Sequence, residues 1–169
     1  MGQLLVVEGD PVRGTDQHNV QGLGPNPGAP PPTALYVGIG DFAYKGSVTE
    51  ALSTFVTIEG TPVALVTSRS GLDPGEDAPG GGHVGKSGSG FVPGKGTVAL
   101  TPNVDDTLQI TDTPLGTGVP NSAAGNALLT VDGVRVLLDG DAIDTCSGLG
   151  RPADSTVSAR GQDFVTCSG

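Results

Sequence analysis

Glycine or proline interrupts this chain almost everywhere: the longest stretch free of both is Ser47 to Glu59, and the next is Asn103 to Thr113. A proline inside a helix removes a hydrogen bond and clashes with the preceding turn, at about 3 kcal/mol, and a glycine costs about 1 kcal/mol relative to alanine. Helices longer than three turns are therefore excluded, and short strands joined by tight turns must carry an all-β fold with little or no helix. The 29 Gly and 14 Pro among 169 residues border on low complexity. Val and Leu are nevertheless frequent enough to build a core, which keeps the chain out of the disordered class. That core is thin, because Trp is absent and there are only 4 Phe and 2 Tyr, so a further staple is expected.

One domain spanning residues 1–169 is the expectation at this length. With 18 acidic against 8 basic side chains the net charge is −10, and nothing in the chain can neutralise a row of phosphates, so nucleic acid and anionic membrane are excluded as nonspecific partners. Met1-Gly2-Gln3 carries no basic side chain and Leu4-Leu5-Val6-Val7 is too short for the apolar core of a signal peptide. Val6 stands where N-myristoylation wants Ser or Thr, and no run approaches 18 apolar residues. The expectation is synthesis in the cytoplasm without a stable membrane anchor.

Within Ser47–Glu59, Ser47-Val48-Thr49-Glu50 has capping-box spacing and predicts one helical turn, after which Thr54 to Ile58 favour a strand. Gly22 to Pro32 reads as an extended polyproline-like loop, and the glycine-dense stretch Gly71 to Gly96 as a second long loop.

Four segments share an alternating apolar approach to a charged residue followed by glycine: Leu5 to Val12, turning at Glu8-Gly9; Val56 to Val63, at Glu59-Gly60; Leu129 to Val136, at Asp132-Gly133; and Val157 to Phe164, at Arg160-Gly161. Each is expected to be a β-hairpin whose glycine supplies the positive φ that a two-residue turn needs. The chain's two His and two Cys fall downstream of these turns: His18, His83, Cys146 and Cys167. Two thiolates and two imidazoles suit tetrahedral zinc, which would tie four distant hairpins to one point and supply the missing staple. No pair has local zinc-finger spacing. A disulfide between Cys146 and Cys167, worth about 3 kcal/mol for a loop of about twenty residues, and four residues with no shared role are the alternatives.

Gly80-Gly81-Gly82-His83-Val84-Gly85-Lys86-Ser87 matches the phosphate-binding GxxxxGK[ST] expression, and Val136 to Asp139 resembles the acidic strand of such NTPases. That chemistry needs a strand entering the loop and a helix leaving it, whereas Pro74, Pro79, Gly88, Gly90 and Pro93 flank it here. Asp139, Asp141 and Asp144 lack EF-hand spacing and read as a solvated acidic loop. No enzyme is expected.

Val56-Thr57-Ile58-Glu59-Gly60-Thr61-Pro62-Val63-Ala64, with weaker echoes at Val6–Val12 and Leu129–Val136 running through Gly140-Asp141 to Cys146, resembles the repeat of the proline-alanine-alanine-arginine (PAAR) proteins. These are the sharpened tips of contractile injection spikes in type VI secretion systems and phage-like tails. The literal tetrapeptide is missing, so the resemblance is to a divergent branch. It implies a small cone of β-hairpins, a monomer whose base sits on a trimeric β-helical spike and must offer it three similar faces. It also implies zinc bound by His18, His83, Cys146 and Cys167, assembly in the cytoplasm, and delivery outside the cell within an injection particle. A small P-loop NTPase and a disulfide-stapled adhesin-like β domain are the competing expectations.

Overall fold

The structure, a computed structural model, describes residues 2–25, 33–73, 85–87, 108–110, 117–145 and 155–168. These residues form no helix and fourteen strands: β1 (Gln3–Leu4), β2 (Pro11–Pro25), β3 (Thr33–Glu50), β4 (Thr57–Ile58), β5 (Thr61–Pro62), β6 (Arg69–Leu72), β7 (Gly85–Ser87), β8 (Leu108–Ile110), β9 (Thr117–Pro120), β10 (Thr130–Val131), β11 (Val134–Arg135), β12 (Ala142–Asp144), β13 (Ser155–Val157) and β14 (Thr166–Cys167). The all-β class is as the glycine and proline spacing requires.

Six strands close into an antiparallel barrel in the order β2-β3-β6-β9-β12-β13, with β13 pairing back onto β2. Closure matters for a chain with so little core, because it satisfies both edges of every barrel strand without a second packed layer. The interior is narrow. Among the described side chains Tyr44 is its one large ring, buried and hydrogen-bonded through its hydroxyl to Ser70 Oγ at 2.9 Å. A Cβ on Gly46 would run into the Gly71 carbonyl oxygen of β6 and lie 2.8 Å from the Tyr44 ring, so only glycine lets β3 and β6 approach this closely beside that side chain. The pair β2/β3 runs beyond the barrel as an unbroken ladder from Pro11↔Ser47 to Pro25↔Thr33, flanked by β7 and β8. The β2 prolines sit at the strand's first and last positions, where a missing N–H interrupts no central ladder bond.

Two loop expectations and one helical expectation change here. Ser47–Glu50 is the end of β3, not a helical turn: Val48 is buried in the barrel core, its N–H donates to Asp10 O at 3.0 Å, and Ser47 Oγ donates to Asp73 Oδ1 instead of capping. Packing of a β-branched side chain outweighs the local capping signal. Gly22–Pro25, expected in a loop, completes β2, and Gly71–Leu72 and Gly85–Ser87, expected in a loop, lie in β6 and β7; apart from Asp73, which follows β6, the rest of both expected loops is outside the described residues.

Below the barrel, three segments meet in a closed ring: Leu5–Asp10, Val63–Ser68 and Val136–Asp141. The Val6 N–H donates to Leu137 O (3.1 Å), the Leu137 N–H to Ala64 O (3.0 Å), and the Ala64 N–H to Val6 O (2.9 Å). A second cycle joins the same three segments in the opposite sense: Glu8 N–H to Pro62 O, Val66 N–H to Arg135 O and Asp139 N–H to Leu4 O, each at 2.9 Å. Bridges Leu5↔Leu138, Val7↔Val63 and Leu65↔Val136 complete it. Each segment then turns back in the same way, with Asp10, Ser68 or Asp141 accepting from the N–H three residues earlier, at 2.8, 2.9 and 2.8 Å. The chain therefore has a pseudo-threefold axis through this ring.

Because side chains alternate along an extended segment, the ring separates two cores. Val6, Ala64 and Leu137 point to the barrel side and pack with Val12, Tyr44, Val48, Ile143 and Val157. Their neighbours Leu5, Val7, Val63, Leu65, Val136 and Leu138 point the other way and pack with Ile58, Val56, Leu129, Val131, Val165 and Cys167.

Candidate functional site

Three two-stranded ribbons cover that second core. In β4/β5 the turn is Glu59-Gly60, with φ of 50° and 83°; in β10/β11 it is Asp132-Gly133, with φ of 51° and 77°. Two successive positive φ values are those of a type I′ turn, so these two expected hairpins are present. The other two are not hairpins. Glu8-Gly9 is the turn that leads out of the ring into β2, structurally equivalent to Asp139-Gly140, with Gly9 and Gly140 both at φ 85°. Gly161 does not have a positive φ, and its N–H donates to Asp10 Oδ1 at 2.7 Å. The third ribbon is β1/β14, paired Gln3↔Cys167 and Leu4↔Thr166.

The ribbons begin alike. Ser53 Oγ accepts from the N–H of Phe55 (3.4 Å) and Val56 (2.9 Å). Asn126 Oδ1 accepts from Leu128 (2.7 Å) and Leu129 (3.1 Å). Gln162 Oε1 accepts from Phe164 (3.1 Å) and Val165 (2.7 Å). All three cap side chains are buried. A short side-chain acceptor reaching two and three residues ahead fixes the entry of each ribbon. The three ribbon strands are thus Ser53-Thr-Phe-Val-Thr-Ile, Asn126-Ala-Leu-Leu-Thr-Val and Gln162-Asp-Phe-Val-Thr-Cys.

The alternation sends Val56/Ile58, Leu129/Val131 and Val165/Cys167 into the core, and leaves the residues between them outside. Phe55 is 68 % exposed, Leu128 82 % and Phe164 54 %. They occupy one position of the repeat, and they are three of the four large apolar side chains exposed among the described residues, the other being Val119. Thr57, Thr130 and Thr166 follow at the next outward position and are exposed, as are Glu59, Asp132 and Asp163. The result is a threefold set of rigid apolar side chains, each with a hydroxyl and a carboxylate on its own ribbon.

The sequence-predicted metal ligands are distributed as follows. His83 and Cys146 lie outside the described residues. Cys167 has a free thiol, half-buried against the ribbon-side core, with Sγ 3.7 Å from Ser168 O. The backbone of His18 pairs with Gly40 in the extended part of β2/β3, and Val12 to His18 spans about 20 Å of strand at about 3.3 Å per residue. Zinc holds its donors at about 2.0–2.3 Å, and the fold puts Cys167 and His18 on opposite sides of the ring. It does not bring those two together. Among the described residues no three His, Cys, Asp or Glu side chains form a metal-binding group.

Two other motifs resolve. Gly85-Lys86-Ser87, the end of the phosphate-loop match, is strand β7, paired with Asp41 and Phe42 of β3, where a nucleotide site would need a helix to begin. The carboxylates read as a solvated acidic loop are instead structural acceptors. Asp141 Oδ2 accepts from the N–H of Leu138 and Gly125, Asp139 Oδ1 from that of Ala159, and Asp144 from Asn121 Nδ2. Among the described residues no helix is long and apolar enough to cross a membrane.

No family model, curated protein or solved structure matches this chain.

Proposed function

We propose that this protein is a spike-tip protein of a contractile injection apparatus, one copy of which caps a trimeric β-helical spike and sharpens it for piercing a target envelope. The observation that carries this reading is the closed cycle of backbone hydrogen bonds joining Val6, Leu137 and Ala64. A single polypeptide that folds about a threefold axis can offer equivalent contacts to each subunit of a homotrimer, which an asymmetric monomer cannot. A closed barrel above the ring and three capped ribbons around a second core make a stiff body, and transmission of force calls for stiffness more than chemistry. The tip would be assembled in the cytoplasm and leave the cell in the particle.

Zinc is part of the same proposal and is supported by donor chemistry alone, since thiolate and imidazole are its preferred ligands. When bound it would supply a rigid cross-link. As Cys167 and His18 stand apart, an ion held on the long-hairpin side would draw on His18, with His83 and Cys146 as the remaining donors of the expected set.

The test is native mass spectrometry of the protein co-produced with the trimeric spike of the same apparatus. One chain per spike trimer is the expected stoichiometry; a 1:1 ratio to spike subunits, or no complex, overturns the reading.

A further inference from the structure

We infer that Phe55, Leu128 and Phe164 are the anchors of this protein's docking surface, and that their partner is a homotrimer presenting one apolar pocket per subunit. This rests on the spike-tip reading and adds to it the contact residues and the chemistry of the partner's end. Three observations on the molecule point the same way. The anchors occupy one repeat position about the axis and stay 68 %, 82 % and 54 % exposed, although a chain this short of aromatic residues has every reason to bury them. Their backbone is held in advance by the caps Ser53, Asn126 and Gln162, so docking orders little that is not already ordered. Val119, the remaining exposed large apolar residue among the described ones, belongs to a barrel strand.

Charge selects the occupant. Each ribbon carries an exposed carboxylate, Glu59, Asp132 or Asp163, on a molecule of net charge −10. A second copy docked through the same layer would set these carboxylates against their own kind, whereas a partner with amide, Lys or Arg donors around each pocket pairs with them. The outward hydroxyls of Thr57, Thr130 and Thr166 serve as both donors and acceptors between anchor and rim. Because the anchors are Phe, Leu and Phe, the pockets must be identical yet tolerant in shape, as three subunits of one sequence would be.

The experiment places the photo-cross-linker p-benzoylphenylalanine singly at positions 55, 128 and 164, and at Thr156 of β13 as an exposed barrel control, in particles assembled in the producing cell. The expected result is that positions 55, 128 and 164 all cross-link to the same segment of one polypeptide, itself a trimer, and that position 156 does not. In parallel, Phe55→Ser, Leu128→Ser and Phe164→Ser should each weaken binding to that trimer roughly 30-fold, the effect of losing one hot-spot side chain, with unchanged thermal unfolding of the free protein. Cross-links to different segments, to unrelated polypeptides or to a second copy of this chain overturn the anchor assignment. Cross-linking to a trimeric spike from position 156 alone overturns it while leaving the spike-tip reading standing; no trimer cross-linked from any position defeats both.

Discussion

Asp10 and Asp141 occupy the same position of the pseudo-threefold ring, and replacing each by Asn should have very different consequences. Asp10 is 1 % exposed and uses both oxygens: Oδ2 accepts from the Val7 N–H at 2.8 Å, and Oδ1 from the Arg160 and Gly161 N–H groups, both at 2.7 Å. Asn has one acceptor oxygen and one donor NH2. Whichever way the amide of Asp10→Asn turns, a buried backbone N–H faces a donor, and the remaining bonds lose their charge assistance. Leaving one buried donor unsatisfied costs about 1–3 kcal/mol, and hydrogen bonds to a charged acceptor are worth about 1.5–3 kcal/mol against about 1 for neutral ones. The sum is about 2–4 kcal/mol, a large part of the usual stability of a domain. At Asp141 a single oxygen, Oδ2, takes both the Leu138 and the Gly125 N–H, at 2.8 and 2.9 Å, and the side chain is only half-buried. An Asn places its carbonyl there and its NH2 elsewhere, so Asp141→Asn should cost under about 1 kcal/mol. Urea unfolding followed by circular dichroism reads the difference: with a slope of about 2 kcal/mol per molar, the Asp10→Asn midpoint falls by about 1–2 M and the Asp141→Asn midpoint by less than about 0.5 M. Equal shifts for the two variants would refute the acceptor count as the cause.

Further tests address the turn geometry, the core and the metal. Gly60→Ala and Gly133→Ala meet no atom within 4 Å, yet hold φ of 83° and 77°, so each should cost about 1–2 kcal/mol from backbone strain alone, seen as a lowered unfolding midpoint without loss of folding. Leu137→Ala, at the centre of the barrel-side core and 1 % exposed, should cost about 2–5 kcal/mol, and Leu128→Ala, 82 % exposed, under about 0.5 kcal/mol in the same assay. Zinc content measured by elemental analysis of the purified protein should be unchanged by Cys167→Ser and lowered by His18→Ala. The reverse pattern would place the ion on the ribbon side of the ring.

The class of fold was readable from spacing because φ restrictions act locally: glycine and proline exclude helix wherever they stand. Two of the four predicted hairpins, at Glu59-Gly60 and Asp132-Gly133, were readable for the same reason, as an acidic residue followed by glycine suits a turn that needs two positive φ values. The same dipeptide logic misassigned Glu8-Gly9 and Arg160-Gly161, and the capping box at Ser47–Glu50 misled in the same way, since a local signal does not know what packs on it. The docking residues were legible in principle. Ser53-Thr-Phe-Val-Thr-Ile, Asn126-Ala-Leu-Leu-Thr-Val and Gln162-Asp-Phe-Val-Thr-Cys share one pattern of an amide or hydroxyl cap, an outward apolar residue and an outward threonine. The repeat was framed on the turn glycine instead, and the third ribbon has no turn glycine among the described residues: Gln3–Leu4 and Thr166–Cys167 come from distant parts of the chain.

What the amino-acid order settled alone is therefore the set of allowed local conformations: an all-β chain, punctuated by turns, with too few aromatic residues for a deep core. Which segments are equivalent, and on which side of the ring Cys167 and the backbone of His18 fall, was settled by assembly. Leu5, Val63 and Val136 become neighbours only when their backbone N–H and C=O groups find partners in one another's segments. That requirement, that every buried peptide group be paired, is met here by a ring no single segment contains, and the threefold surface exists only once the ring has closed.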